Sequence, residues 1–275
     1  MLVVKTNTWR IAVNKHTFAI CAYKESLYLE ECIQSVLAQR GESDVIVCTS
    51  TPNESIRSLC ARYDLPLHVN PAPSSIHGDW NFAMAQADSE YVTLCHQDDV
   101  YEPGYGAAMK KAMENGSFEL FFTDYAELRG TEKTTKGKLL LIKRILQWPL
   151  RFRHLQTRPF AKRWALRFGN GICCPSVTYH KAVLPAPLFQ AGLKSNLDWQ
   201  TWERLSHGKG RFCYCPQPLM CHRIHEGSET SRVIGESLRT GEDEQMFRLF
   251  WPKGIAKILT KCYSTSEKSN DLSAK

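Results

Sequence analysis

Short apolar runs alternate with helical periodicity through the first half of the chain, and this alternation constrains the fold more than any other feature. Residues 17–22 read as a strand. A helix from about Ser26 follows, with Leu29, Cys32, Ile33, Val36 and Leu37 at i, i+3, i+4, i+7 and i+8. Residues 45–48 form a continuous apolar run, as a buried parallel strand does. Beyond the turn at Ser50, Thr51, Pro52 and Asn53, a second helix places Ile56, Leu59, Cys60 and Tyr63 on one face. Residues 67–69 read as a strand, 78–87 as a helix, 91–95 as a strand, 103–113 as a helix and 118–123 as a strand. Strands alternating with helices imply crossover units and a parallel sheet. Ligands of such sheets bind beyond the carboxyl ends of the strands. The informative residues are therefore 23–25, 49–51, 96–99 and Asp124.

The 275 residues suit one large α/β domain, alone or with an appendage. A net charge of +7 favours an anionic partner: phosphate, a membrane face or nucleic acid. No run approaches the roughly 18 apolar residues that span a bilayer, and residues 1–13 carry no export-signal pattern. The expected location is the cytoplasm, with the inner membrane face as a peripheral site. Eleven cysteines are then expected to stay reduced, with Cys21, Cys48 and Cys95 as small buried hydrophobes in strands. Cys213, Cys215 and Cys221, near His222 and His225, invite a zinc reading, but their spacing matches no zinc pattern. Packing is their expected role.

Composition shifts after Arg129. From 133 to 167 there are eleven Lys or Arg and no Asp or Glu, interleaved with Ile142, Ile145, Trp148, Phe152, Phe160 and Trp164 among other apolar residues. Two readings stand. The segment suits an interfacial helix on anionic lipid, where each basic residue contributes about 1 kcal/mol. It also suits a helical subdomain with its apolar face packed inward and its charges solvated. The tail from 264 is polar and expected to be disordered.

The strongest chemical signal is the run from Tyr91 to Asp99: an apolar strand delivers His96, Gln97, Asp98 and Asp99 to the sheet edge. Adjacent carboxylates repel, and Mg²⁺ or Mn²⁺ held with substrate phosphates relieves that repulsion. The pair alone equally suits a turn and cap before the helix at Pro103.

The chain resembles a family-two glycosyltransferase of the GT-A fold. The resemblance is carried by five landmarks in order across residues 17–230: Ala22, Tyr23, Lys24 and Glu25 after the first strand; Gly78, Asn81, Ala83 and Ala87 in the helix before the metal strand; His96 to Asp99 at the D–x–D position; Asn196, Leu197, Asp198 and Trp199 at the acceptor-side acid; and Arg223, Ile224 and His225, followed by Gly227 and Ser228, at the closing R–x–H. Two departures accompany it. His96 replaces the first Asp of D–x–D, and Thr49-Ser-Thr51 replaces the acidic end of the second strand, where the family reads uracil.

The resemblance implies an α/β sheet flanked by helices, divided into a nucleotide-sugar half (1–129), a basic amphipathic helical segment (130–168), an acceptor-side half (169–263) and a tail (264–275). It implies an inverting transfer from a nucleotide sugar to a saccharide, lipid-linked or protein-linked hydroxyl, in cell-surface polysaccharide or glycoconjugate synthesis. Asp198 would be the general base. Asp98 and His225 would hold Mn²⁺ or Mg²⁺, and Arg223 would pair with phosphate. Ala22, Tyr23, Glu25, Thr49, Asn81 and Gln97 would line the donor, while Asp99, Asp124 and Trp199 would face the acceptor. Each has an ordinary structural alternative as a cap, a turn or a core residue. A nucleotidyltransferase is disfavoured because Ala22 to Glu25 lacks a Gly-rich phosphate loop. A nucleic-acid module is disfavoured because no recognition motif accompanies the basic segment. A non-catalytic relative on the same fold stays open.

Overall fold

The computed structural model describes residues 15–39, 41, 43–225 and 236–268. The expected alternation forms a four-strand parallel block in the order β3-β2-β1-β4, built from β1 (His16–Cys21), β2 (Ser43–Thr49), β3 (Leu67–Val69) and β4 (Tyr91–His96). Crossovers run through α1 (Leu29–Leu37), α2 (Glu54–Arg62) and α3 (Ile76–Gln86). Asn53 caps α2 by accepting from the Ile56 amide, and Ser75 caps α3 by accepting from Gly78. α1 starts at Leu29 rather than near Ser26, whose hydroxyl instead accepts the Tyr28 amide in a turn.

β5 (Val100–Tyr101) and α4 (Tyr105–Glu114) follow, then β6 (Leu120–Arg129) with its hairpin partner β7 (Glu132–Thr134). The basic segment forms α5 (Lys138–Gln147) and α6 (Pro159–Leu166), separated by short 3₁₀ turns where Pro149 and Pro159 interrupt helical bonding. β8 (Val177–His180), α7 (Leu197–Ser206), β9 (Phe212–Arg223), α8 (Glu236–Arg248) and α9 (Lys253–Lys268) complete the described residues. The start of the segment expected to be disordered from 264 is therefore helical, and 269–275 lie outside the described residues.

β8 runs antiparallel to both β4 and β6, and β9 is parallel to β6. Hence β1, β2, β3, β4, β6 and β9 all point the same way, and their carboxyl ends share one edge. β9 runs to Arg223, past the expected end at Cys215. Its Pro216 and Pro218 lack amide donors, and the β6–β9 register shifts around Asp124 where they fall. Beyond the shift pairing resumes, carrying His222 and Arg223 to the edge.

The sheet separates two cores by its period of two. Ala19, Val92, Leu94, Leu120 and Phe122 pack on one face with α3, α6 and α7. Phe18, Ile20, Tyr91, Cys95 and Phe121 pack on the other with α1, α2 and α4. No helix among the described residues is long and apolar enough to cross a membrane.

Candidate active site

β4 ends in a tight turn, with the Asp99 amide bonded to the His96 carbonyl. The carboxyl end of β9 closes over it. Asp99 is fully buried. Its Oδ1 accepts from His222 Nδ1 at 3.0 Å and from the Arg223 amide at 2.9 Å. It is the strut joining β4 to β9 and does not face an acceptor. Burial alone would lower the His222 pKa, but the Asp99 and Asp98 carboxylates outweigh it and hold the imidazole above its ordinary value.

Asp98 points the other way, and its Oδ2 accepts from His225 Nε2 at 2.9 Å. Burial works against its charge, yet His96, His225 and His222 together hold its carboxyl below the ordinary carboxylate value. Arg223 is nearly inaccessible, at 4% exposure. Its Nε donates to the Asp98 carbonyl at 2.8 Å, another guanidinium nitrogen reaches Glu31 at 2.5 Å, and the group lies 4.4 Å from the Tyr28 ring centre. The guanidinium expected to pair with phosphate is thus engaged in clamping the Asp98 turn to α1. Gly227 and Ser228 lie outside the described residues.

Gln97 latches this turn to the loop after β1, accepting from the Tyr23 amide at 2.9 Å and donating to the Tyr23 carbonyl at 3.0 Å. The Ala22 amide continues the ladder onto the Cys48 carbonyl. Lys24 adopts a left-handed φ of 53°, its amide held by Thr51 Oγ1 at 2.6 Å and its ammonium 4.9 Å from the Tyr23 ring. Tyr23 is half-buried and Glu25 exposed on this rim, while Thr49 is buried and accepts the Thr51 amide.

Asp198 lies in the first turn of α7. Its Oδ1 accepts the Trp199 amide at 2.7 Å and its Oδ2 accepts Asn170 Nδ2 at 2.8 Å. Burial pushes its carboxyl up from the ordinary value, against those two bonds and the charges of His96 and Lys143. His96 stacks on Trp80 with ring centres 5.3 Å apart, and its Nε2 is buried with no hydrogen-bond partner among the described residues.

Three further expected site residues are engaged structurally. Asn81 accepts from the Leu188 and Phe189 amides and donates to the Phe189 carbonyl, so it pins that loop rather than the donor. Trp199 is fully buried, donates to the Leu166 carbonyl and packs edge-on to Phe247, so it is core rather than acceptor surface. Asp124 pairs with Arg144 Nε at 2.6 Å, tying β6 to α5.

Other site residues had no sequence motif to mark them. Asp79, beside Gly78 in the first turn of α3, brings a carboxylate to the end of β2, accepting from Ser50 Oγ and Asn70 Nδ2, both at 2.8 Å. Glu242 of α8 accepts the Lys194, Ser195 and Asn196 amides, and Asp243 accepts Asn196 Nδ2. Together they fix the loop that presents Asp198.

Among the described residues no three His, Cys, Asp or Glu side chains form a preformed metal cage. Cys221 donates to Glu102 instead of joining Cys213 and Cys215 on a metal. Asp98 and His225 supply one carboxylate oxygen and one imidazole nitrogen. That donor set fits Mn²⁺ or Mg²⁺ completed by diphosphate oxygens and water.

The mainly parallel sheet flanked by helices, with its carboxyl ends at one edge, is the GT-A fold of glycosyltransferases. Solved structures of known glycosyltransferases share that fold. Staphylococcus aureus TarS 1-349 in complex with UDP-GlcNAc has a TM-score of 0.61 at 14% identity, covering 90% of this chain and 70% of that one. The mannosyltransferase PcManGT from Pyrobaculum calidifontis in complex with GDP-Man and Mn²⁺ has 0.61 at 13%, covering 93% and 75%. Glucosyl-3-phosphoglycerate synthase from Mycobacterium tuberculosis in complex with phosphoglyceric acid has 0.52 at 14%, covering 82% and 79%. No curated protein sequence matches significantly. The chain belongs to glycosyl transferase family 2, whose model matches residues 17–170.

Proposed function

We propose that the protein is a metal-dependent, inverting glycosyltransferase that moves a sugar from a nucleotide-diphosphate donor to a hydroxyl acceptor. The observation that carries this reading is the pairing of Asp98 with His225 at 2.9 Å at the carboxyl edge of the sheet, with Asp198 in the first turn of α7. Bound Mn²⁺ or Mg²⁺ supplies positive charge to the departing diphosphate. Asp98 and His225 hold it, and Gln97 and Arg223 hold the turn that carries Asp98. Asp198, made more basic by burial, takes the proton of the attacking hydroxyl as that oxygen displaces the diphosphate from the anomeric carbon. One base on one face is the requirement of a single displacement with inversion. Tyr23, Ala22, Thr49 and Glu25 border the nucleoside, and Asp79 adds a carboxylate there.

UDP-GlcNAc in TarS and GDP-Man with Mn²⁺ in PcManGT support a nucleotide-sugar donor and a divalent ion. The acceptor is a saccharide, lipid-linked or protein-linked hydroxyl in cell-surface polysaccharide or glycoconjugate synthesis. The setting is the cytoplasm at the inner membrane face. The test is a panel of UDP-, GDP-, dTDP- and CDP-sugars with Mn²⁺, read by nucleoside diphosphate release and by the anomeric configuration of the product. One base should dominate and the configuration should invert. Retention refutes the single displacement, and pyrophosphate release from a nucleoside triphosphate and a sugar phosphate refutes glycosyl transfer.

A further inference from the structure

We infer that the outer face of α5 and α6 is a docking surface for an anionic lipid bilayer, which holds the active site over an acceptor anchored in that membrane. The second half rests on the glycosyl-transfer reading above; the docking does not.

Both helices carry two apolar rows. The inner row, including Leu140, Leu146, Ala161, Ala165 and Leu166, is buried against the main domain. That row fulfils what a packed helical subdomain requires. The outer row is left over: Leu141, Ile145, Trp148, Phe152, Phe160 and Trp164 are between 41% and 66% exposed. Leu141, Ile145 and Trp148 follow each other at i, i+4 and i+7, as do Phe160 and Trp164 at i and i+4, which puts each set on one side of its helix. Trp148 and Phe152 meet edge-on with ring centres 5.0 Å apart.

The charge around this row selects its occupant. From 133 to 167 every charged residue is Lys or Arg, and Lys138, Arg151 and Arg158 are exposed. A second copy of the chain would bring the same positive face against it. The segment 1–14 carries Lys5 and Arg10 and no acidic residue, so it offers no complementary charge either. An acidic protein would meet charges set directly among the apolar side chains, as in the exposed run Arg151-Phe-Arg153. Protein interface centres tolerate Arg and aromatic residues but are depleted of Lys, and this face carries the exposed Lys136 and Lys138 beside its Arg residues. The boundary between headgroups and acyl chains accommodates both kinds of side chain at once, with aromatic rings at its depth.

The inner sides of the same elements reach the candidate site. Arg144 pairs with Asp124 and Lys143 Nζ donates to the Tyr125 hydroxyl at 2.8 Å, with the Tyr125 ring 6.3 Å from that of His222. At the far end, Asn170 follows α6 and bonds Asp198. Docking therefore fixes the position of the base and of the Asp98 turn relative to the lipid surface.

The experiment is sedimentation of the full chain with vesicles of phosphatidylcholine alone or mixed with phosphatidylglycerol, over a salt series, for the wild type and the Trp148→Glu, Trp164→Glu double variant. Val69→Glu, an exposed apolar site at the end of β3, the outermost strand of the sheet on the far side from β6, is the control. The expected result is binding only to the anionic vesicles, weakened by salt, weakened at least about tenfold in the double variant and unchanged in the control. Equal binding by the double variant, or no binding to anionic vesicles at low salt, overturns the proposal. So does a wild-type dimer in light scattering that the double variant abolishes, because the face then covers itself. Binding to polyglutamate as tight as to vesicles and insensitive to the two Trp changes overturns it in favour of an acidic protein. Nucleotide binding is measured on the same samples. Vesicle binding without nucleotide binding refutes the transferase reading alone, and nucleotide binding without vesicle binding refutes the docking alone.

Discussion

Replacing Asp198 by Asn removes one negative charge while keeping the shape of the side chain. The carbonyl oxygen of the new side chain can still accept the Trp199 amide. Asn170 Oδ1, buried with no hydrogen-bond partner among the described residues, can turn to accept the new amide in place of the bond that Asn170 Nδ2 now donates. The packing around α7 should therefore survive. Catalysis should not, because the base is gone: kcat should fall about 10²- to 10⁴-fold, or ~2.7 to 5.4 kcal/mol of transition-state stabilisation, with the donor KM unchanged. Stability should move the other way. The folded pKa of Asp198 is raised by burial, so the folded state holds its proton more tightly than the unfolded state does. Wild-type stability is then lost as pH rises from the ordinary Asp value through the raised one, and at neutral pH the Asn variant should melt higher. The assay is steady-state diphosphate release at saturating donor, alongside thermal unfolding at pH 7. A fall in kcat of less than about tenfold, or a lower melting temperature, refutes the reasoning.

His16 bridges Ser43 of β2 and Thr93 of β4, and burial lowers its pKa to about 3; the unfolded chain binds the extra proton below pH 6.5, so stability should rise with pH, with a deficit of about 2 kcal/mol at pH 5 relative to pH 7. Urea unfolding across that range should show the slope, and His16→Asn should remove its share; an identical slope in the variant excludes His16 as its source. Gly169 has φ +139°, and a Cβ there would lie 2.7 Å from the Tyr263 ring, so Gly169→Ala should cost about 1–3 kcal/mol. That cost should shrink in a Tyr263→Leu background, and full additivity would contradict the contact. Asn81→Ala should cost about 1–3 kcal/mol by stripping the Leu188 and Phe189 amides of their acceptor, with donor KM unchanged. A raised KM at wild-type stability would return Asn81 to the donor site.

The strand and helix periods were legible because each element buries one face. β3 falls on the expected residues, and β4 extends the expected strand by one, to His96. The long ends of β6 and β9 were not legible, since Pro216 and Pro218 read as strand breakers until a partner strand absorbs them in a register shift. The site divides in the same way. The run Tyr91 to Asp99 announced two carboxylates at a sheet edge, and the structure brings Asp98 against His225. Which carboxylate is buried and which is open depends on partners far away in sequence. Arg223 meets Glu31 across 192 residues, and Asp99 meets His222 across 123. A motif specifies residue types but not such pairings, so Arg223, Asn81, Asp99, Asp124 and Trp199 looked available when their polar groups or surfaces are engaged. Asp79, Asn170, Glu242 and Asp243 carry no periodic signal, and only the fold gathers them.

Thermal unfolding with UDP, GDP, dTDP or CDP, with and without Mn²⁺, decides whether Asp98 anchors a metal-dependent nucleotide site. A nucleotide at 100 times its Kd stabilises the folded chain by about 2.7 kcal/mol. The wild type and Asp198→Asn should both show a Mn²⁺-dependent rise with one of the four nucleotides, and Asp98→Ala should show none. An unchanged rise in Asp98→Ala, or no rise in the wild type with any nucleotide, would contradict the account.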